Sequence, residues 1–467
     1  MKNLYKDVSH LDQKCYDLYA LSEDILMEHA SAALADAVRA QKPSKVLIVA
    51  GPGNNGGDGI ACARELLGEY EVKLLLPYGA KSRMCRLQLD RFYACGGEVS
   101  ESICEADVVV DALFGTGLSR GLKEDVVHLI ERLNQIQAYK IACDIPSGID
   151  PKGNPNPIAF EANKTVTMGA LKYSLFMDGA KGYVGAIEVA DLGVSRTLYE
   201  EPSDIKLLEI EDLQPPYRHK VNVHKGDFGH LGVVAGEKEG AAIMAALAAL
   251  RYGAGLVSVV SHEKILVPYE LMHSSSLPPK TTALAVGMGL GVEYSDEELD
   301  SFLFGHDLPM VVDADLFYSP KIKKILQRPN IVLTPHPKEF SSLLSLTNIA
   351  QTSVEEIQKD RLGYARLFCQ TFPQAVLLLK GATPIIAQES QAFFNPHGSN
   401  ALAKGGSGDV LTGLIGALLA QGYEPLQAAI QGSLAHAIAS HKVNVANYAL
   451  RPTDLIEAVG RLSTTSL

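Results

Sequence analysis

Two glycine-rich segments that also carry acids and amides are the residues of this chain best suited to chemistry. The first, Gly51-Pro52-Gly53-Asn54-Asn55-Gly56-Gly57-Asp58-Gly59, directly follows the apolar run at residues 45–50. The second, Lys404-Gly405-Gly406-Ser407-Gly408-Asp409-Val410, directly precedes the apolar stretch at residues 411–419. Glycines let backbone N–H groups close on a phosphate, and a helix starting there adds partial positive charge. The first segment matches neither the G-x-G-x-x-G dinucleotide fingerprint nor the Walker loop, which continues into Lys-Ser/Thr. Its Asn54, Asn55 and Asp58 supply side-chain donors and acceptors beyond what a phosphate cradle needs. In the second segment the N–H groups of residues 405–408 suit a phosphoryl group in transfer, and Asp409 is spaced to take a proton from an attacking hydroxyl. The competing structural explanation for each acid is turn chemistry or helix capping.

Each segment has companions. Asp111-Ala112-Leu113-Phe114-Gly115-Thr116-Gly117-Leu118-Ser119-Arg120-Gly121 and Asp144-Ile145-Pro146-Ser147-Gly148-Ile149-Asp150 both follow apolar runs. Ligands of open α/β sheets sit at the carboxyl ends of strands, so these loops converge with the first segment on one crevice. Asn55, Asp111 and Ser147 would there offer oxygen ligands to a hard cation. A positioned carboxylate such as Asp144 can serve proton transfer or ring opening at a carbon bearing a hydroxyl beside nitrogen. The second half repeats the pattern with residues 224–230 (His-Lys-Gly-Asp-Phe-Gly-His), 287–291 (Gly-Met-Gly-Leu-Gly), 334–339 (Thr-Pro-His-Pro-Lys-Glu) and 379–384 (Leu-Lys-Gly-Ala-Thr-Pro).

The elements that must position these residues read as βα alternation. Apolar spacing predicts one helix over residues 11–40, a strand at 45–50, and a helix over 60–67. Further strands are predicted at 72–76, 108–113, 140–144, 164–168 and 186–189, as continuous apolar runs suited to a parallel sheet covered on both faces. Periodicity fades between Arg196 and Val221, which places a domain boundary there and predicts domains over residues 1–205 and 206–467. Beyond it, strands are predicted at 231–235, 256–260, 283–286, 310–313, 331–333 and 375–379, with an Ala-rich helix at 241–252, as a second parallel α/β domain.

Composition bounds the function classes. The chain has 467 residues, 47% of them hydrophobic, which is enough for two cores. A net charge of −12, with no basic stretch interleaved with aromatics, argues against nucleic acid as a partner. The start lacks the apolar core of a signal peptide, and apolar runs fall short of the roughly 18 residues of a membrane span, which predicts a cytoplasmic protein with no membrane partner. Seven cysteines without a C-x-x-C pair argue against a disulfide framework or a zinc site.

Residues 51–59, 111–121 and 144–150 resemble the YjeF N-terminal family of NAD(P)H-hydrate epimerases. The likeness continues through Thr165-Val166-Thr167-Met168-Gly169 with Lys172, and through Gly182-Tyr183-Val184-Gly185. It implies a Rossmann-like three-layer αβα domain. By that resemblance Asn54, Asn55, Gly56, Gly57 and Asp58, with Gly115, Thr116, Gly117, Leu118, Ser119, Arg120 and Gly121, hold the hydrated dinucleotide. Asn55, Asp111 and Ser147 then hold K⁺, and Asp144 is the acid/base that contacts the hydrated nicotinamide. One departure is Leu26-Met27-Glu28-His29-Ala30-Ser31, where the family usually reads L-M-E-N-A-G.

The second half resembles the ribokinase-like ADP-dependent NAD(P)H-hydrate dehydratases over roughly residues 205–462, on the combination of H-K-G-x-x-G-H with T-P-H-P-x-E. That resemblance implies Asp409 as base, with Gly408 and Lys380, Gly381, Ala382, Thr383 and Pro384 toward the adenine nucleotide. Ala241, Gly289 and His336 would line the hydrated-dinucleotide site. Val312-Asp313-Ala314-Asp315-Leu316-Phe317 departs from the family's D-A-D-A-L-N. Together the two resemblances imply repair of NADHX and NADPHX: epimerisation of the R and S forms, then ADP-dependent dehydration with Mg²⁺, releasing AMP and phosphate. A homo-oligomer is expected. The alternative in another class is a vitamin-type small-molecule kinase with a non-catalytic N-terminal binding domain.

Overall fold

The apolar runs of the first half become a seven-stranded, wholly parallel sheet. Its strands are β1 (Lys45–Ala50), β2 (Glu71–Leu75), β3 (Val99–Ser100), β4 (Val108–Ala112), β5 (Tyr139–Cys143), β6 (Lys164–Met168) and β7 (Ala186–Ala190), in the order β3-β2-β1-β4-β5-β6-β7. The computed structural model describes all residues except 118–120, 292, 293, 295 and 464–467. The chain divides into two units, residues 3–205 and residues 206–467 with Met1 and Lys2.

Alternate residues of β1 explain why its run is continuous rather than alternating. Val46, Ile48 and Ala50 pack into one buried cluster, while Leu47 and Val49 pack into another on the opposite face. Helices cover both faces, so every side chain of a central strand must be apolar. The chain leaves β1 toward β2 and β3, then returns to add β4 on its other side. That reversal opens a crevice at the carboxyl ends of β1 and β4.

Residues 11–40 form two helices rather than the single one expected. α1 (Ser9–Tyr19) ends where Ala20 takes a left-handed conformation, and α2 (Glu23–Arg39) starts afresh with the Ser22 hydroxyl accepting from the Ile25 N–H. Likewise α3 spans Asn54–Leu66, so most of the glycine-rich segment is the first turns of a helix and not a loop before one. α4 (Arg83–Ala94) and α5 (Glu124–Gln135) complete the helices used below for this unit.

The second unit is also α/β. Strands β8 (His230–Val234), β9 (Leu256–Val260), β10 (Met272–Ser274), β11 (Ala283–Val286), β12 (Met310–Val312), β13 (Ile331–Leu333), β14 (Val376–Leu379), β15 (Ile385–Gln388) and β16 (Gln391–Phe394) follow the order β16-β15-β14-β13-β12-β11-β8-β9-β10. The run from β14 to β10 is parallel, but β15 and β16 pair antiparallel, so the expected all-parallel sheet carries a mixed edge. The reversal falls between β8 and β11. Helices α6 (Glu239–Arg251), α7 (Pro337–Leu346), α8 (Arg361–Thr371), α9 (Ser407–Ala420) and α10 (Pro425–His441) pack on this sheet's two buried faces. No helix among the described residues is long and apolar enough to cross a membrane.

Candidate active sites

In the first unit the crevice gathers residues from four neighbouring strands. Asp111 lies at the end of β4 and is fully buried. Its carboxylate accepts from the Ser147 hydroxyl (2.7 Å), the Ser147 N–H (2.7 Å) and the Leu113 N–H (3.1 Å). Burial pushes the Asp111 carboxyl up to about 6, against the pull of those hydrogen bonds. Asn55, in the first turn of α3, has a buried side-chain nitrogen with no hydrogen-bond partner.

Asp144 follows β5 in a left-handed conformation, with φ of 66°. One oxygen, Oδ1, accepts from Lys172 Nζ (2.6 Å), Thr167 Oγ1 (3.1 Å) and the Met168 N–H (3.1 Å). Lys172 is fully buried and also donates to the Met168 carbonyl and Thr167. The other oxygen, Oδ2, faces Gly115: a Cβ there would come within 3.1 Å of both Asp144 Oδ2 and Asn55 Oδ1. Gly115 therefore keeps open a gap between the candidate acid/base and the amide. Asp58, one turn along α3, has its carboxyl raised well above the ordinary range, first by burial and then by the Asp144 charge.

Other residues of the first set take different positions. Asn54 is exposed and donates to Glu23 (2.8 Å). Gly56 packs on the chain's own backbone, since a Cβ would fall 1.9 Å from the Gly51 carbonyl, and Gly57 packs against Met27. Gly56 lets α3 press on the loop after β1, and Gly57 lets it press on α2. Thr116, Gly117 and Gly121 are exposed, and Leu118, Ser119 and Arg120 lie outside the described residues. The departures in α2 point away from the gap: Ser31 bonds Glu65 (2.6 Å), and His29 packs near Gly193. Glu28 in the same motif holds Arg64, Gln88 and Arg91, tying α2 to α3 and α4.

In the second unit the ends of β12, β13 and β14 meet the start of α9. Asp313 is buried, accepting from Lys380 Nζ (2.6 Å) and Thr412 Oγ1 (2.9 Å). A Cβ on Gly408 would lie 3.4 Å from Lys380 Nζ, so lysine, glycine and the next residue, Asp409, share one small volume. Burial pushes the Asp409 carboxyl up to about 6, helped by the Asp313 charge and opposed by Lys380. Gly406, at φ 89°, supplies the left-handed turn that lets α9 begin at Ser407.

His336 caps α7. Its Nδ1 accepts from the Lys338 and Glu339 N–H groups (both 3.2 Å), and its Nε2 lies 3.1 Å from Glu339 Oε1. Burial and the nearby Lys380 ammonium hold His336 below its ordinary range, and burial pushes Glu339 up to about 7. Gly289 at φ 59° brings the loop after β11 against Ala241, with a Cβ there 3.2 Å from that of Ala241. This pair sits at the reversal between β8 and β11.

Three supports were not singled out from the sequence. Arg361 is fully buried at the start of α8 and donates to the carbonyls of Leu379 (3.1 Å), Lys380 (3.0 Å) and Thr383 (3.0 Å), fixing the 379–384 loop around Gly381, Ala382 and Pro384. His436 in α10, held down to about 4 by burial, donates to the Ser407 carbonyl (2.9 Å). Thr412 repeats at helical spacing after Asp409, a signal visible only once α9 is known to begin at Ser407. The His224–His230 motif, by contrast, precedes β8 and so lies at the opposite end of the sheet from Asp409. There His230 bonds Ser258 (2.8 Å), and Gly255 allows close approach to the Lys225 carbonyl.

Two doubly wound α/β domains, each closing a carboxylate and a lysine onto a helix start at its strand ends, define a nucleotide-handling enzyme class. Residues 23–174 match the family described as YjeF-related protein N-terminus, and residues 231–461 match the NAD(P)H-hydrate dehydratase family. The bifunctional NAD(P)H-hydrate repair enzyme Nnr of Helicobacter pylori is 44% identical, covering 99% of this chain and 100% of its own. Its counterpart in Coxiella burnetii is 35% identical, covering 90% and 91%. A crystal structure of the ADP/ATP-dependent NAD(P)H-hydrate dehydratase from Bacillus subtilis, co-crystallized with ATP/Mg²⁺, is similar at 27% identity over 54% of this chain and 94% of that one, with a TM-score of 0.44. The chain belongs to the family of bifunctional NAD(P)H-hydrate repair enzymes, with an epimerase domain followed by a dehydratase domain.

Proposed function

We propose that Asp144 performs the epimerisation, from a carboxylate oxygen turned toward a gap at the strand ends, and that Asp409 starts the dehydration at the first turn of α9. The observation that carries this reading is the division of labour at Asp144: Oδ1 is held by Lys172, Thr167 and Met168, while Oδ2 faces the space kept by Gly115. Inverting the hydroxyl-bearing ring carbon requires a bond beside it to break and re-form on the other face. A proton must move on and off the reacting oxygen, and Oδ2 is placed for that transfer.

Asn55, Asp111 and Ser147 would hold a K⁺ ion. The Asn55 Oδ1 that faces the space at Gly115 and the fully buried Asp111 carboxylate are the oxygen donors a hard, singly charged cation takes. When bound, the cation supplies positive charge against substrate oxygens. K⁺ in place of a bulky organic cation should then raise the melting temperature of the wild-type chain, and the increment should vanish in Asp111→Ala. Thermal unfolding read in K⁺ and in choline checks this without an activity assay.

In the dehydratase, Asp409 takes the proton of the ring hydroxyl, and that oxygen attacks the terminal phosphoryl of ADP at the start of α9. AMP leaves, the ring nitrogen's electron pair expels phosphate, the neighbouring ring carbon C5 gives up a proton to re-form the C5–C6 double bond, and NADH or NADPH is restored. Mg²⁺ enters with ADP as part of the co-substrate and neutralises phosphate charge. Lys380 and Gly408 approach the transferring group, and the 379–384 loop and the Ala241, Gly289 and His336 side of the crevice take the two nucleotides.

The test is recovery of the reduced-cofactor absorbance from a mixture of both NADHX epimers, with ADP, ATP or no nucleotide. Full recovery with ADP is expected. Recovery without any nucleotide, or none with either, would sink the assignment of Asp409 to phosphoryl transfer.

A further inference from the structure

Asp12, on the first turn of α1, has no part in the reaction above. Its Oδ1 accepts from the Tyr199 hydroxyl (2.7 Å). Tyr199 is buried, and its hydroxyl stands over Gly169, where a Cβ would fall 2.3 Å from it. Gly169 directly follows Met168, whose N–H donates to Asp144 and whose carbonyl accepts from Lys172. The Asp12 carboxyl is thereby seated beside the Lys172–Asp144 pair, and both the attraction of Lys172 and the repulsion of Asp144 reach it.

The N-terminal segment also grips the stretch that carries the lysine. The Tyr5 N–H donates to the Leu171 carbonyl and the Tyr5 carbonyl accepts from the Tyr173 N–H (both 2.9 Å), so Lys172 lies between two backbone anchors. α1 starts shortly after Tyr5, so the segment that fixes Lys172 also delivers Asp12.

Lys172 is fully buried, and while Asp144 is ionised the two charges are paired. When Asp144 takes a proton from the reacting oxygen the pair loses its negative member, and a buried ammonium without a counter-charge is costly. Asp58 does not fill that place, because burial raises its carboxyl well above the ordinary range and keeps it neutral. Burial raises the Asp12 carboxyl too, but the Tyr199 hydroxyl and the Lys172 ammonium both oppose the rise. Burial and the Asp12 charge push the Tyr199 hydroxyl up, so it stays a donor.

We infer that Asp12 is a positioning residue of the epimerase, the counter-charge that stays with Lys172 while Asp144 holds the substrate's proton. The proton passes from the reacting oxygen to Asp144 Oδ2, the O–H electron pair stays with the substrate, and the proton returns by the same route. Asp12 neither gains nor loses one. The inference rests on the Asp144 reading. Because Asp12 acts through Lys172, its effect falls on kcat and leaves KM unchanged.

The experiment measures kcat and KM for epimerisation of hydrated NADH in the full chain, with the epimers separated chromatographically. Asp12→Asn, whose amide oxygen still accepts from Tyr199, should lower kcat about tenfold, the scale of one charge–charge interaction at a partly buried site. KM, the melting temperature and ADP-dependent dehydration in the second unit should stay at wild-type values. Asp12→Glu keeps the charge and should recover most of the lost kcat. A wild-type kcat in Asp12→Asn, a loss that appears in KM or comes with a lower melting temperature, or an Asp12→Glu as slow as Asp12→Asn would each overturn the inference. Wild-type epimerisation in Asp144→Asn would instead overturn the Asp144 reading, and this inference with it.

Discussion

Asp409→Asn should lose ADP-dependent dehydration by about 10²–10⁴-fold, the usual contribution of a positioned base, while keeping epimerisation. The substitution preserves shape and removes only the proton-accepting charge. The wild-type pH dependence should carry the same signature. Burial and the Asp313 charge push the Asp409 carboxyl up to about 6, so kcat/KM should be level above that pH and fall about tenfold per unit below it. Stability runs the other way. Because folding raises this pKa, Asp409 favours the folded state most when protonated, and that contribution is lost as pH rises through about 6. At neutral pH the Asn variant should therefore melt no lower than the wild type, which separates lost chemistry from lost structure. A variant that dehydrates at the wild-type rate would remove Asp409 from the mechanism.

Asp144→Asn should show the complementary defect. Epimerisation should drop by about 10²–10⁴-fold, and cofactor recovery from an epimer mixture should stall once the epimer accepted by the dehydratase is consumed. The backbone argues that this variant folds. Asp144 sits at φ 66°, a conformation asparagine tolerates among the best of the non-glycine residues. An amide oxygen can still accept from Lys172 and the Met168 N–H, so the buried ammonium keeps a partner. Complete recovery at the wild-type rate would show that another group moves the proton.

Much of the fold was legible because buried parallel strands cannot alternate. The runs at 164–168, 256–260, 283–286 and 331–333 matched observed strands residue for residue. Strands β15 and β16 escaped because each is only four residues long, too short an apolar run to stand out from the loops around it. The helix over residues 11–40 was broken by Ala20, whose left-handed turn no residue type announces, although Ser22 is an ordinary cap. Within the sites, local motifs pointed to Asn55, Asp111, Asp144, Ser147 and Asp409. They could not indicate Arg361 or His436, whose partners come from loops brought near only by folding.

On the nucleotide site proposed for the 379–384 loop, the Arg361 clamp sets what binding costs. With the Leu379, Lys380 and Thr383 carbonyls anchored on one buried guanidinium, the 379–384 loop has already lost much of its conformational freedom when the chain folds. A ligand arriving there orders little of the protein, so more of each contact's energy is retained as affinity. Substitutions at the loop's exposed positions, Gly381 and Ala382, should then change which ligand fits without loosening the frame beneath them.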